Sequence, residues 1–495
     1  MAYDSFGQFV QALEKAGELK RIRRPIATEL EITELADREM KSPGGGKALL
    51  IEQPTIAGQL SPFPLAINAF GSHRRMALRL GADSVDAVAA ELASLLKARP
   101  PTSLSEAIKL LGTALDLRHA KPRIVSQGPC QEVVHQQNEL AAAVPGPCPT
   151  LLSLPILKCW PLDAGRFITL PCVVTKDPDS GERNIGMYRI QIFDGQTTGL
   201  HWQLHKVAAR HGRRYYETGR RMPVSIFLGG DPVLAFCATA PLPDGLDEFL
   251  LAGYLRKKSV ELVKCVSNDL EVPAEADFVI EGYVDPKEAL RTEGPFGDHT
   301  GYYSLPDLYP AFHVTAITHR RDAIYPATIV GMPPMEDFYM GDASVRLFLP
   351  VLKMNFPELV DLALPAEGVF HNLVFASIKK TYPMQAYKIM HGLWGMGQMM
   401  FTKYIVVVDE DVDVHNTSEV LFRLCATTDP QRDALFTRGP ADVLDHATTE
   451  FAVGTKLGLD ATKKLPGEGF KREWPPLIKM DEAVKKKIQR MKDKP

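Results

Sequence analysis

Six prolines between Arg118 and Pro155, at positions 122, 129, 145, 147, 149 and 155, create a stretch that neither a helix nor a central strand can cross. The stretch separates two unlike patterns. Before it, Phe6, Phe9, Val10 and Leu13 fall at helical spacing up to Gly17, residues 32–40 and 85–96 repeat that spacing, and strand-like runs occupy 19–22 and 48–51. Residues 1–117 therefore read as an α/β domain. After it, short apolar runs bounded by turn residues take over: a hairpin of 167–175 and 185–193 around a turn at 177–181, then 224–228, 260–266 and 278–284. Residues 118–322 read as a β-barrel or sandwich. Strand-like runs at 325–330, 373–378 and 404–408 then alternate with helical stretches at 343–354 and 387–399, so 323–455 reads as a second α/β layer. The tail, 456–495, ends in a charged helix over 481–492 whose Val484, Ile488 and Met491 make a narrow apolar stripe.

Composition removes several classes of function. A formal charge of -3 gives no bulk electrostatic case for nucleic acid. Seven scattered cysteines without a Cys-x-x-Cys pair predict reduced thiols in a cytoplasmic protein, not a disulfide frame or a zinc knuckle. The first residues lack the pattern of a secretory signal, and no uncharged apolar run reaches the ~18 residues of a membrane span. Membrane contact is expected to be peripheral at most.

Chemistry concentrates in Glu293-Gly-Pro-Phe-Gly-Asp298-His-Thr-Gly-Tyr302, where three glycines and a proline hold two carboxylates five residues apart in a loop. Acids fixed near each other or near a cation acquire separated pKa values, as proton transfer at neutral pH requires. Arg189 is the natural cation for Glu293, because a guanidinium grips a carboxylate through two hydrogen bonds. Asn184 and Arg189 are an odd number apart, so either Asn184 lies in the turn before the strand or the two serve different parts of a ligand. His201 and His205 share a helical face, but Trp202 stands where a zinc protease needs glutamate. His205, Asn184 and an acid would instead make a mixed oxygen and nitrogen site suited to Mn²⁺ or Mg²⁺. The helical stretch after Lys206 offers an N-terminus to a phosphate. Gly44-Gly45-Gly46-Lys47 lacks phosphate-loop spacing and reads as a turn. Met390 to Phe401 reads as core packing, and Lys403 as a phosphate contact or a solvated strand end.

Together, Asn184-Ile-Gly-Met-Tyr-Arg189, His205, Glu293 to Tyr303, Met400-Phe-Thr-Lys403 and Gly458-Leu-Asp-Ala-Thr462 closely resemble the UbiD family, reversible decarboxylases named for 3-polyprenyl-4-hydroxybenzoate carboxy-lyase that use prenylated FMN. The resemblance runs from Glu18 to Trp474 in the same order. It implies an N-terminal α/β domain, a central flavin-reductase-like split β-barrel and a C-terminal α/β domain whose terminal helix reaches a neighbour in a homodimer or homohexamer. It implies a divalent metal, Mn²⁺ with K⁺ as a further ion, on Asn184, His205 and Glu248. It implies flavin contacts from Met187, Tyr188, Arg189, Lys206 and Lys403, with weaker matches at His201, Trp202 and Gln203. Arg189, Glu293 and Asp298 match the catalytic set, Asp298 standing where many relatives have Glu and acting as a proton donor held protonated in a closed cleft. A flavin prenyltransferase would supply the cofactor. The implied substrate is an aromatic carboxylic acid: 3-polyprenyl-4-hydroxybenzoate of ubiquinone synthesis, or a dihydroxynaphthoate of menaquinone synthesis, since residues 328–337 differ from the ubiquinone-type pattern. A flavin reductase and a non-catalytic assembly subunit are the readings from other classes.

Overall fold

The computed structural model describes residues 2–96, 118–136, 150–202, 206–242 and 245–492. Four strands make the N-terminal sheet in the order Leu19–Ile22, Ala48–Ile51, Leu65–Ile67, Tyr325–Ala327. The helix Phe6–Lys15 buries Phe6, Phe9, Val10 and Leu13 in a core shared with this sheet, and Ser5 caps it by accepting the Gln8 N–H at 3.1 Å. The last strand corrects the expected boundary at 323. Tyr325–Ala327 pairs in parallel with Leu65–Ile67 and so belongs to the first domain, where chain leaving the barrel fills the open edge of the sheet.

The central domain is a nine-stranded, mainly antiparallel sheet that curls back on itself. The expected hairpin forms, but both of its arms are interrupted. Cys172–Lys176 pairs with Arg183–Met187, and Phe167–Ile168 pairs with Ile190–Ile192. Each half of the hairpin bonds a different edge of the remaining strands: Cys172–Lys176 joins Met222–Leu228, while Ile190–Ile192 joins Thr197–Leu200. One bent hairpin thus closes the sheet into a split barrel. Closure needs the bend, and the bend falls at Tyr188 and Arg189, between the two strand pieces.

The C-terminal sheet has five strands in the order Leu359–Ala363, Leu373–Ile378, Tyr404–Asp409, Val453–Asp460, Ala434–Pro440. Its strand Val453–Asp460 crosses the expected boundary at 455, so this domain runs at least to Asp460 and the tail starts later. The helix Glu336–Asn355 lies between the layers, packed on the helix Val85–Leu96 and on the strand Leu359–Ala363. The terminal helix Glu482–Lys492 forms as expected, with Val484, Ile488 and Met491 exposed. Among the described residues no helix is long and apolar enough to cross a membrane, and all six described cysteines are free thiols; Cys148 lies outside the described residues.

Candidate active site

The acidic loop is a tightly tied hairpin. Arg291–Glu293 pairs with Asp307–Tyr309 and Phe296–Gly297 with Tyr303–Ser304, and Gly294, at φ +86°, takes up the offset between the two pieces. Its backbone is fastened to the barrel: Gly294 N–H donates to Gln191 Oε1 at 2.8 Å, and Gly297 N–H donates to Asp163 Oδ1 at 2.7 Å. The tip closes when Gly301 N–H donates to the Asp298 carbonyl at 3.0 Å. Glu293 and Asp298 are thereby aimed at one point on the barrel.

That point is Arg189. Its Nε and Nη2 hold Glu293 Oε1 and Oε2 at 2.8 and 2.9 Å, while Nη1 donates to Asp298 Oδ2. The Phe296 ring lies under the guanidinium, 5.0 Å away. His201 joins the set with Nδ1 3.1 Å from Glu293 Oε2, and Tyr309 reaches His201 Nε2 at 3.5 Å. The odd spacing from Asn184 to Arg189 is explained by the bend. Asn184 lies inside a strand, opposite Thr175, and the interruption at Tyr188 resets the alternation before Arg189. Of the two readings of that spacing, the turn position fails.

Burial pushes the Glu293 carboxyl up, but the bonds from Arg189 and His201 outweigh it and bring the pKa down to about 2. Asp298 is also pushed up by burial, and is nevertheless held well below the usual carboxylate range by the Arg189 charge and by His299. This corrects the expectation of a protonated Asp298: in this arrangement it is a carboxylate. The proton sits next door. His299 Nδ1 is 2.9 Å from Asp298 Oδ1, and although burial lowers its pKa, that bond and charge raise it to about 9. His299 Nε2 in turn faces His371 Nε2 at 2.8 Å, with Asp442 and the half-buried Asp337 nearby. The motif containing His299 was visible in the sequence, but no role was drawn from it. His371, Asp337 and Asp442 carry no local signal, because packing of the C-terminal domain brings them here from far along the chain.

A second cluster, of a different kind, starts from the other strand piece of the same bent hairpin. The Asn184 side chain is buried and its Nδ2 finds no hydrogen-bond partner among the described residues. Ile185 N–H donates to Glu248 Oε2 at 2.9 Å, which places Glu248 beside Asn184. Glu248 opens the helix Glu248–Arg256, capped by Asp247, and forms no ion pair among the described residues. Burial raises its carboxyl to about 7. Tyr188 meets Asn184 and the backbone of Ala208, so the start of the helix Val207–Thr218 lies over the same spot, with Lys206 as its N-cap residue. Burial lowers the Lys206 ammonium, and Asp442 acts against that. Lys403 holds Asp445 at 3.0 Å on the C-terminal side. Met187 is half-buried, and the Trp202 ring packs on Gly212 of the helix, where a Cβ would stand 3.1 Å from it. Gln203 and His205 lie outside the described residues, so two of the three expected metal ligands are placed, and they are neighbours.

Comparison with known proteins matches all three domains of the chain. Residues 10–96 match the 3-octaprenyl-4-hydroxybenzoate carboxy-lyase N-terminal domain, 123–333 its Rift-related domain and 338–461 its C-terminal domain. An uncharacterized protein of Archaeoglobus fulgidus is 47% identical over 490 residues, covering 99% of this chain and 98% of the relative. Sedimentibacter hydroxybenzoicus vanillic acid decarboxylase in its closed form superposes with a TM-score of 0.83 at 26% identity, with 99% of each chain covered. An evolved dimeric form of the UbiD-class enzyme HmfF from Pelotomaculum thermopropionicum, in complex with prFMN, gives a TM-score of 0.76 at 26% identity, covering 97% of this chain and 100% of that one.

Proposed function

The chain belongs to the UbiD family of 3-octaprenyl-4-hydroxybenzoate carboxy-lyases, and we propose that it removes CO₂ from a hydroxylated aromatic acid with prenylated FMN bound at its barrel. The observation that carries this reading is the buried Glu293, Arg189 and Asp298 set, anchored on the same bent hairpin as Asn184, whose buried Nδ2 has no hydrogen-bond partner, and Glu248, bonded to that hairpin at Ile185 and without a cation among the described residues. The donor set suits the cofactor. A buried amide with an unpartnered Nδ2 to donate to a phosphate and an Oδ1 to ligate a cation, beside a half-buried carboxyl without a cation, suits a metal-bound phosphate, and the helix end at Lys206 is favourable for the same anion. Asn184, Glu248 and His205 would hold Mn²⁺ on the phosphate, with K⁺ as a further ion. Met187, Tyr188, His201, Trp202, Gln203, Lys206 and Lys403 would contact the flavin.

When bound, the flavin supplies the electron sink for the bond that CO₂ leaves. The chain's own residues do the rest. Arg189 keeps Glu293 ionised through its two-bonded grip and offers Nη1 to the substrate carboxylate, which displaces Asp298 from that nitrogen. Asp298, released from the cation in a cleft closed to water, takes up a proton and delivers it to the ring carbon. The preferred substrate is 3-polyprenyl-4-hydroxybenzoate, with dihydroxynaphthoate as the alternative. A flavin prenyltransferase supplies the cofactor, and the uncovered stripe of the terminal helix supports a homo-oligomer.

The test is direct. Protein co-expressed with a flavin prenyltransferase and purified in the dark is denatured, and the released small molecule is weighed. FMN plus a five-carbon isoprene unit, followed by CO₂ release from one of the two acids, is the expected result. Unmodified FMN that a nicotinamide bleaches would sink the reading in favour of a flavin reductase.

A further inference from the structure

The charged network of the catalytic loop does not end at Asp298. His299 belongs to the barrel and His371 to the C-terminal domain, just before the strand Leu373–Ile378, yet their Nε2 atoms are 2.8 Å apart. Two imidazole nitrogens approach that closely only with a proton or a metal between them, since facing lone pairs repel. On its other side, Nδ1 of His299 meets Asp298 Oδ1, which also accepts the His299 N–H at 2.7 Å. An ionised carboxylate only accepts, so Nδ1 carries a proton.

The surroundings decide which ring holds the charge. Asp298 from the loop, Asp442 from the C-terminal domain and Asp337 from the start of the helix Glu336–Asn355 all favour a charged His299. Arg189 faces the pair from behind Asp298, and Lys206 and Asp445 act on His371. Burial, and then the charge on His299, push His371 down to about 4, so it stays neutral and accepts. His371 follows two residues of left-handed backbone, and its other ring nitrogen, Nδ1, is buried without a hydrogen-bond partner among the described residues. Val369 and Phe370 hold positive φ values of 55° and 45°, and the Phe370 ring lies 5.5 Å from His299 and 5.1 Å from His371. The same two imidazoles and Asp442 could hold a metal ion, but the Lys206 ammonium already acts on both His371 and Asp442.

We propose that His299 stores, as an imidazolium, the proton that Asp298 passes to the substrate carbon, and that His371 reaches across from the C-terminal domain to position it. The inference rests on the decarboxylase reading. Each turnover converts C–COO⁻ and one proton into C–H and CO₂. The His299 Nδ1–H bond breaks as an O–H bond forms on Asp298; that O–H bond breaks as the new C–H bond forms. His299 regains its proton from water once product has left. A carboxylate that its neighbours keep ionised can thus still serve as a donor.

The test uses the cofactor-loaded enzyme and, in parallel, ¹⁵N-histidine NMR of the unloaded protein. In the wild type kcat should fall as pH rises through about 9, the range in which His299 loses its proton. His371→Gln should move that midpoint down by about one unit while KM changes less than about 2-fold, and His299→Gln should lower kcat by roughly 10²-fold or more. An unmoved midpoint in His371→Gln overturns the proposal. If no aromatic acid is decarboxylated, the family reading has failed at its substrate, yet NMR still judges the pair. One imidazolium titrating near pH 9 and lost in His299→Gln supports the proton store. An ordinary titration of His299, or a shift of its signals on adding EDTA, overturns it, the latter in favour of a metal between the two rings.

Discussion

The two halves of the site treat charge in opposite ways. At the acidic loop every charge is answered within the chain: Glu293 by Arg189 and His201, Asp298 by Arg189 and His299. A few residues away, the buried Asn184 Nδ2 has no hydrogen-bond partner and the half-buried Glu248 has no cation among the described residues. Unpaired buried polar groups cost stability, so a chain that keeps them is built around something it does not itself contain. The fully paired half is preorganised for chemistry, and the unpaired half for binding.

Breaking the paired half should have the largest effect. Arg189→Met leaves two buried carboxylates facing each other, and breaking such a pair costs roughly 3–5 kcal/mol. Denaturant unfolding should register that loss, and CO₂ release should be abolished. Next comes Asp298→Asn, which keeps the shape but exchanges one of two accepting oxygens for a donor and cannot carry the proton. Turnover should fall by about 10²–10⁴-fold with flavin still bound, as read from the flavin absorbance of the purified protein. Normal turnover in this variant would remove Asp298 from the mechanism.

The unpaired half should respond in the opposite sense. Glu248→Gln should lose the cofactor yet stabilise the unloaded protein by on the order of 2 kcal/mol at pH 8, because a half-buried charge without a cation is removed. The two glutamates also predict opposite slopes with pH. Glu293 has its pKa lowered from 4.5 to about 2, so its contribution is complete above the unfolded value and is lost as pH falls toward 2. Glu248 is raised from 4.5 to about 7, so stability is greatest below the unfolded value, declines as pH climbs through about 7 and is flat beyond. Unfolding midpoints of wild type and Glu248→Gln between pH 5 and 8 should therefore converge at the acid end. Parallel curves would mean that Glu248 is already paired.

Much of this was legible in the sequence wherever local pattern decides. The helix Phe6–Lys15 and the strands Ala48–Ile51 and Leu373–Ile378 follow from periodicity, the pairing of Glu293 with Arg189 is expected from charge, and Asp298 joins them through the family resemblance. What escaped depends on contacts between distant segments. Nothing around Tyr325 says that this strand will complete a sheet begun at Leu19, and nothing around His371 says that it will meet His299. The protonation of Asp298 escaped for the same reason. A lone buried Asp would be neutral, and its charge is settled by an arginine and a histidine that only the fold places beside it.

The smallest expected effect concerns the terminal helix, which is exposed from Glu482 to Met491 and pairs Lys485 with Glu482 on its own surface. Val484, Ile488 and Met491 are exposed on a helix rich in lysine, with Ile478 98% exposed just before it. A helix that buries nothing on its own chain contributes little to the stability of that chain. Ending the protein after Pro476 should therefore shift the unfolding free energy by no more than about 0.5 kcal/mol. The stripe is costly to leave wet unless another surface covers it, and a second copy is the partner that the family resemblance implies. Light scattering of the shortened protein should accordingly show a smaller assembly, with turnover per chain and flavin content unchanged. An unchanged mass would leave the helix without that role, and a large drop in stability would mean that it packs on its own chain after all.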